Sequence, residues 1–470
     1  MELNVEGDLM DCYLLIDFGS TFTKLTLVDI KNEEIIATSK DITTVESDIM
    51  IGFENAFNKL QHRLIANKVN IVKKLACSSA AGGLKMAALG LVPELTTEAA
   101  KRAALGAGAK VQKVYSFEVT NKEIEEIKNN KTDIILLAGG TDGGNKKCIL
   151  HNAMMIAKHK LNIPIVVAGN KTCQDEIEDI FKENNIYYRM CENVMPKLNQ
   201  LNAEPAKEEI RKTFMEKIIE AKGMKNAENY INGILMPTPA AVLNAAEILS
   251  KGTDREDGIG SLMIIDIGGA TTDVHSVGKG DPANDIEMRG LEEPFAKRTV
   301  EGDLGMRYSA HSLFLAAGER KIKKYLNDDT IDIEKECLYR NENIKMVPKD
   351  DKDERFDETI AKCATEMAIE RHVGHLEWIH SPIGPVYYQY GKDLTEIKYL
   401  IATGGVMIHS RNPKDILEAG LYKDKEFHIL KPKSPKYLLD KEYILSSMGL
   451  LSIDYRDKAL RIMKRYIKEI

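Results

Sequence analysis

The sequence is short of several things at once. Its seven cysteines (Cys12, Cys77, Cys148, Cys173, Cys191, Cys337, Cys363) are scattered with no CxxC pair. That pattern argues against a structural zinc site, a four-cysteine iron–sulfur cluster and a disulfide framework. It reads instead as reduced thiols, with a cytoplasmic home expected. No stretch approaches the roughly 20 apolar residues needed to span a bilayer. Residues 1–11 lack a basic region followed by an apolar one, so no secretory leader is expected there. Acidic side chains outnumber basic ones, 72 against 65, and no Lys/Arg-rich block offsets that balance. Nucleic acid is therefore not expected as a partner.

What remains is a globular composition, 43% hydrophobic and 29% charged, over 470 residues. That length implies two to four domains. Strand-like runs at 13–17 and 24–30 precede a helical pattern through Ile49, Phe53, Phe57 and Leu60. Residues 118–200 alternate short apolar runs with helix-length segments, the pattern of parallel βαβ units, so an inserted α/β domain is expected there. Residues 201–235 read as a helical connector. A second lobe follows over 236–442, with a helical insertion at about 305–395, and residues 443–470 return to the first lobe, 1–117.

Residues 14–28, LLIDFGSTFTKLTLV, and 263–277, MIIDIGGATTDVHSV, align without a gap. Isoleucine, aspartate, glycine, threonine and valine coincide, and the other strand positions stay apolar. The chain thus carries two copies of a strand–acid–glycine–hydroxyl hairpin. Glycines let backbone N–H groups approach phosphate oxygens, and successive amides form an anion-holding nest. Gly19, Ser20, Thr21, Thr23 and Lys24 are the candidate phosphate ligands of the first copy. Gly268, Gly269, Thr271, Thr272 and Asp273 are those of the second. Asp17 and Asp266 repel phosphate directly and make sense if Mg²⁺ and its waters stand between. A third element, YLIATGGVM (399–407), ends a strand in Gly404-Gly405 before Val406, where a purine or ribose can lie against backbone.

Taken in order, DFGSTFTK, MPTPAAVLNAAEIL, DIGGATTDV, IATGGVMI and YILSSMGLLS resemble the five motifs of the actin-like ATPase superfamily. The resemblance implies an α/β fold of two duplicated ribonuclease H-like lobes, with ATP and Mg²⁺ as cofactors. It implies Asp17 and Asp266 as the catalytic acids, holding the metal through water. Gly404, Gly405 and Val406 would take the adenosine, joined by Glu301 and Asp303 after the second hairpin. The two small-residue helices, around Ala240–Ala246 and Ser446–Gly449, would cross each other.

A closer resemblance rests on SSAAGGLKMAALGLVPELTTEAAKRAALGAGAKV (78–111), LLAGGTDGGN (136–145) and VEGDLGMR (300–307). These are similar to the MutL (GlmL) family of glutamate mutase-associated proteins, which is unrelated to the mismatch-repair protein sharing the name. The resemblance implies a reactivating chaperone that binds an adenosylcobalamin-dependent mutase and drives release of damaged cobalamin. A small second subunit or a homodimer is open on this reading. A small-molecule kinase on the same fold, or an actin-like structural ATPase recruited to a membrane by its last helix, are the alternatives.

Overall fold

The computed structural model describes residues 9–44, 48–79, 84–214, 216, 234–283, 286–326, 328, 330–382 and 384–470. Parts of two sequence-derived segments, 80–83 and 217–233, lie outside them. The chain divides into two compact units, Met1–Ala245 with Ile444–Met463, and Ala246–Tyr443 with Lys464–Ile470.

In the first unit the chain opens with β1 (Met10–Phe18), β2 (Phe22–Asp29) and β3 (Glu34–Ile42), followed by the helix Ile49–Ala66 and β4 (Val69–Ser78). The apolar run of β1 is buried throughout, and β2 pairs antiparallel along one of its edges and β4 parallel along the other. Next come β5 (Lys85–Gly90), β6 (Lys110–Ser116), β7 (Ile134–Leu137), β8 (Ile165–Val167), β9 (Tyr188–Met190) and β10 (Ile234–Pro237). The strand β10 returns to the first sheet, whose order is β10-β4-β1-β2-β3.

The other five strands form a separate, all-parallel sheet in the order β6-β5-β7-β8-β9. Its core is Leu89, Ile135, Leu137, Val167, Ile177 and Phe181 among others. This corrects the expected boundary at 118. The small-residue stretch before it supplies β5 and β6, because Met86–Leu89 need parallel neighbours on both sides to bury their backbone. The strand order, 2-1-3-4-5 by sequence, is one of the two common doubly wound arrangements.

The second unit contains β11 (Leu262–Ile267), β12 (Thr272–Val277), β13 (Glu287–Arg289), β14 (Ala296–Glu301), β15 (His375–Ser381), β16 (Gly384–Tyr390), β17 (Tyr399–Thr403), β18 (Lys436–Leu439) and β19 (Lys468–Glu469). Its main sheet runs β14-β12-β11-β17-β18-β19. The antiparallel pairs β11/β12 and β12/β14 and the parallel pairs β11/β17 and β17/β18 repeat the first sheet strand for strand. The duplicated α/β architecture that the resemblance implied is therefore present in the backbone itself.

The expected helical insertion is only partly helical. Helices Ala310–Ala317, Glu319–Leu326, Ile333–Glu342 and Asp351–His372 pack on the second sheet through Leu313, Ile322, Phe356 and Ile360. Residues 375–381 and 384–390 instead form the hairpin β15/β16, in which Trp378, Tyr387, Tyr388 and Tyr390 supply aromatic side chains, and Gly384 takes φ 118°. His372 is fully buried, with Thr299 and Ser276 on its two ring nitrogens.

The two small-residue helices, Thr238–Lys251 and Leu445–Leu451, do cross within the first unit. A Cβ on Gly449 would lie 1.9 Å from the carbonyl oxygen of Ala241, so the two backbones touch. Among the described residues no helix is long and apolar enough to cross a membrane. All seven cysteines are free, and six of them are buried.

Two stability predictions follow from this packing. Gly449→Ala must push the two helices apart, and urea unfolding should show a loss of about 2–3 kcal/mol. The second concerns the buried imidazoles of His275 and His372. Burial pushes His275 down to about 3, with Arg298 adding to the effect, and pushes His372 well below its usual range. Both stay neutral in the fold but take a proton when unfolded, near pH 6.5. Stability should therefore be full above that pH and fall as pH drops toward 3, by about 1.4 kcal/mol per pH unit for each imidazole. Chemical denaturation at pH 7, 6 and 5 measures the slope, which His275→Gln should reduce.

Candidate functional site

The two hairpins that the repeat picked out adopt the same turn. Asp17 faces Lys24 across β1/β2, and Asp266 faces Asp273 across β11/β12. In each copy the glycine closes the turn: Gly19 N donates to Phe22 O at 3.1 Å and Gly268 N donates to Thr271 O at 2.9 Å. A Cβ on Gly19 would stand 2.6 Å from Phe22 O, which is why the position is glycine. The amides of Gly19 and Gly268 are thus spent on the hairpin, and an anion must be met by the residues at the tip.

In the second copy those tip peptides are oriented from behind. The carbonyls of Gly268 and Gly269 accept from Met306 N and Arg307 N at 3.0 and 2.8 Å, and that of Ala270 accepts from Ser309 Oγ at 2.7 Å. In a planar trans peptide the next N–H points opposite to the carbonyl. The N–H groups of Gly269, Ala270 and Thr271 therefore point away from residues 306–309, as three successive donors suited to an anion. Ala270 was not among the candidate residues, and its contribution is purely main-chain. Gly305 permits the close approach, since a Cβ there would lie 2.4 Å from the Ala270 carbonyl carbon.

Two candidate residues are corrected by this geometry. Thr23 and Thr272, equivalent in the repeat, are both fully buried. The Thr23 hydroxyl pairs with Thr43 Oγ1 at 3.1 Å, and Thr272 Oγ1 donates to Leu304 O at 2.6 Å. Each lies at the start of its strand, second in β2 and first in β12, with the side chain toward the interior, so neither serves as a phosphate donor. Ser20 is exposed, and Thr21 and Thr271 are half-buried, so these remain at the surface of the turns.

The two acids have different surroundings. Asp17 is 2% exposed. Its Oδ1 accepts from Thr238 Oγ1 at 2.6 Å, its Oδ2 accepts from Ser446 Oγ at 3.3 Å, and Lys24 Nζ stands 3.8 Å away. Burial, with Asp17 beside it, also pushes the Cys77 thiol well up, so that neighbour stays protonated. Asp266 is half-buried, and Tyr443 Oη donates toward both of its oxygens at 3.2 and 3.3 Å.

Asp273 is tied up rather than open. Arg298 Nε and Nη2 both donate to its Oδ1, at 2.8 and 2.5 Å, and Thr271 Oγ1 donates to Oδ2 at 3.1 Å. With Asp266 and Asp273 facing each other, a buried cation is needed where the first copy has only Lys24. Arg298 meets that need from β14, a partner that the repeat alone does not disclose.

Glu301 and Asp303 do not point to a free site: Arg371 donates to both, at 2.7 Å each. Gly404 has φ 100°, and a Cβ there would lie 2.4 Å from Ile267 O and 2.9 Å from Asp266 Oδ1. Its glycine is needed to let β17 end against the second hairpin. Gly405 is exposed with open space around its α-carbon, while Val406 packs partly against the core. Thr238, Ser446, Tyr443 and Arg298 are the functional neighbours that sequence reasoning missed. The first three lay inside quoted motifs, but no local signal marks which acid each one reaches.

Arg298→Met would leave Asp273 without its cation, and we expect a loss of about 3 kcal/mol by urea unfolding. An unchanged midpoint would mean that Asp273 is compensated otherwise.

Comparison with known proteins places this geometry in a family. The model of the MutL protein family matches residues 13–467. The chain is 64% identical over 462 residues to Protein MutL of Clostridium tetanomorphum, covering 98% of this chain and all of that one. Among solved structures it is similar to ethanolamine utilization protein EutJ from Carboxydothermus hydrogenoformans, at 10% identity and a TM-score of 0.30, over 96% of this chain and 89% of that one. It is also similar to xylulose kinase from Lactobacillus acidophilus, at 10% identity and a TM-score of 0.36, over 98% and 93%. On the family match and the identity along almost its whole length, the chain belongs to the MutL protein family.

Proposed function

We propose that the protein is a slow, magnesium-dependent ATPase that reactivates an adenosylcobalamin-dependent mutase, glutamate mutase or a related aminomutase, by driving release of damaged cobalamin. The observation that carries the nucleotide part is the turn at 268–271, whose carbonyls are tied down so that three successive amides face outward beside Asp266. The mutase part rests on membership of the family that the sequence resembles.

The residues present fit Mg-ATP. Outward amides of the turn at 268–271 are phosphate donors, and in the same unit the open space at Gly405 suits a flat adenosine. Among the described residues no group of three or more His, Cys, Asp or Glu side chains could hold a metal ion alone. Magnesium would accordingly be held by phosphate oxygens and by Asp266 through water, neutralising phosphate charge. Asp17 is buried under Thr238 and Ser446, so Asp266 is the more accessible of the two acids.

In this reading the amides of Gly269, Ala270 and Thr271 offset negative charge on the terminal phosphate, while Asp266 orients a water and accepts its proton. Slow turnover is expected because Arg298, Arg307 and Arg371 are each committed to carboxylates, leaving none of the three as an arginine finger. The free thiols support a reducing, cytoplasmic setting.

The test is Mg-ATP binding and hydrolysis by the purified protein and by Asp266→Ala, with and without an inactivated cobalamin mutase. Hydrolysis should be slow alone, rise with the mutase, and fall by about a hundredfold or more in Asp266→Ala with ATP binding largely kept. Mutase activity should return when fresh adenosylcobalamin is supplied. Phosphorylation of a sugar, or nucleotide-dependent pelleting without any mutase response, would shift the reading to a kinase or a structural ATPase. Absence of ATP binding would overturn it.

A further inference from the structure

We infer that Tyr443 is a positioning residue for the Asp266 carboxylate, an assignment that rests on the ATPase reading above. The last torsion of an aspartate is broad, so a lone carboxylate samples many orientations about it. The phenol of Tyr443 sits almost equidistant from the two oxygens, 3.2 and 3.3 Å away. A donor shared in this way opposes rotation in either direction, because turning the carboxylate lengthens one contact and tilts the other. Both distances are long for an O–H···O bond, and such contacts often tighten once substrate is bound.

The backbone is arranged to deliver that phenol. Tyr443 has φ 56°, the left-handed region that a bulky side chain rarely occupies. It is held there from the strand side: Tyr443 N donates to Asp440 O at 3.3 Å, and Asp440 N donates to Ala402 O at 2.9 Å. The Asp440 carboxylate, 1% exposed, accepts from Thr403 Oγ1 at 3.4 Å. Thr403 is the register partner of Asp266 across β17/β11. The strand neighbour of the acid thus anchors the turn that carries its phenol.

Gly404 completes the arrangement from another side. A Cβ there would lie 2.9 Å from Asp266 Oδ1, so the glycine clears space for the carboxylate to stand in the orientation that the phenol selects. Strain at an aromatic residue, aimed at an acid, is the kind of local cost that persists where geometry is needed for function.

The test compares wild type, Tyr443→Phe, Asp266→Asn and the double variant by steady-state ATP hydrolysis and thermal unfolding. Tyr443→Phe keeps the ring and removes only the hydroxyl. We expect kcat to fall about tenfold or more, with KM for Mg-ATP changed less than about threefold and the unfolding midpoint close to wild type. In the Asp266→Asn background the same change should have little further effect, the signature of one coupled unit. Tyr443→Asn, which tolerates the left-handed backbone, should show the same kcat loss if the Phe variant folds poorly. If the wild type hydrolyses ATP and Tyr443→Phe matches it in kcat, the positioning role is overturned and the ATPase reading stands. Equal losses in both backgrounds would also overturn it, as a purely structural effect. If the wild type neither binds nor hydrolyses ATP, the ATPase reading fails and takes this assignment with it.

Discussion

The first unit is organised around one buried charge. A carboxylate that is almost wholly removed from water, as Asp17 is, costs several kcal/mol unless donors surround it. Thr238, the first residue of one helix, and Ser446, near the start of another, supply two of those donors. Satisfying Asp17 therefore dictates where both helices enter. Their small residues then allow the crossing in which Gly449 lies against the backbone of Ala241. Larger residues at the crossing would pull the hydroxyls away from the acid they serve.

The duplicated hairpin has been put to two uses. Both copies share the turn, the inward threonine and the acid at the strand end. In the first copy the acid is enclosed and its cross-strand partner is Lys24, so charge balances locally. In the second, two acids face each other, and balance is restored only by Arg298 reaching from β14. The second acid stays half-open, with a phenol on its carboxylate and three outward amides at the tip beyond it. Chemistry that needs an accessible carboxylate is better suited to this copy than to the enclosed one.

Much of this was legible in the residues. The apolar run before Asp17 and the matching run before Asp266 implied paired strands, because a continuous apolar run and a glycine turn are local properties. Less legible was the segment VEGDLGMR. Its acids suggested ligand contacts, yet they pair with Arg371, and the segment acts through backbone and Ser309 on the turn beside it. The strands at 85–116 were hidden for a related reason. Alanine-rich stretches read as helix or strand alike, and only parallel neighbours made them strands. Residues 375–390 misled in the opposite direction, since charged and aromatic residues on a short hairpin lack the long period that separates strand from helix.

By itself the sequence determined that there are two hairpins and what residue types they carry. Those features depend on short apolar runs and on the turn chemistry of a few consecutive residues. It could not determine which acid would be enclosed and which left accessible. That was decided by hydroxyls arriving from far along the chain, Thr238 and Ser446 at separations of 221 and 429 residues from Asp17, and Tyr443 at 177 from Asp266. Burial of a charge is a property of everything packed around it, and only the tertiary structure brings those partners together.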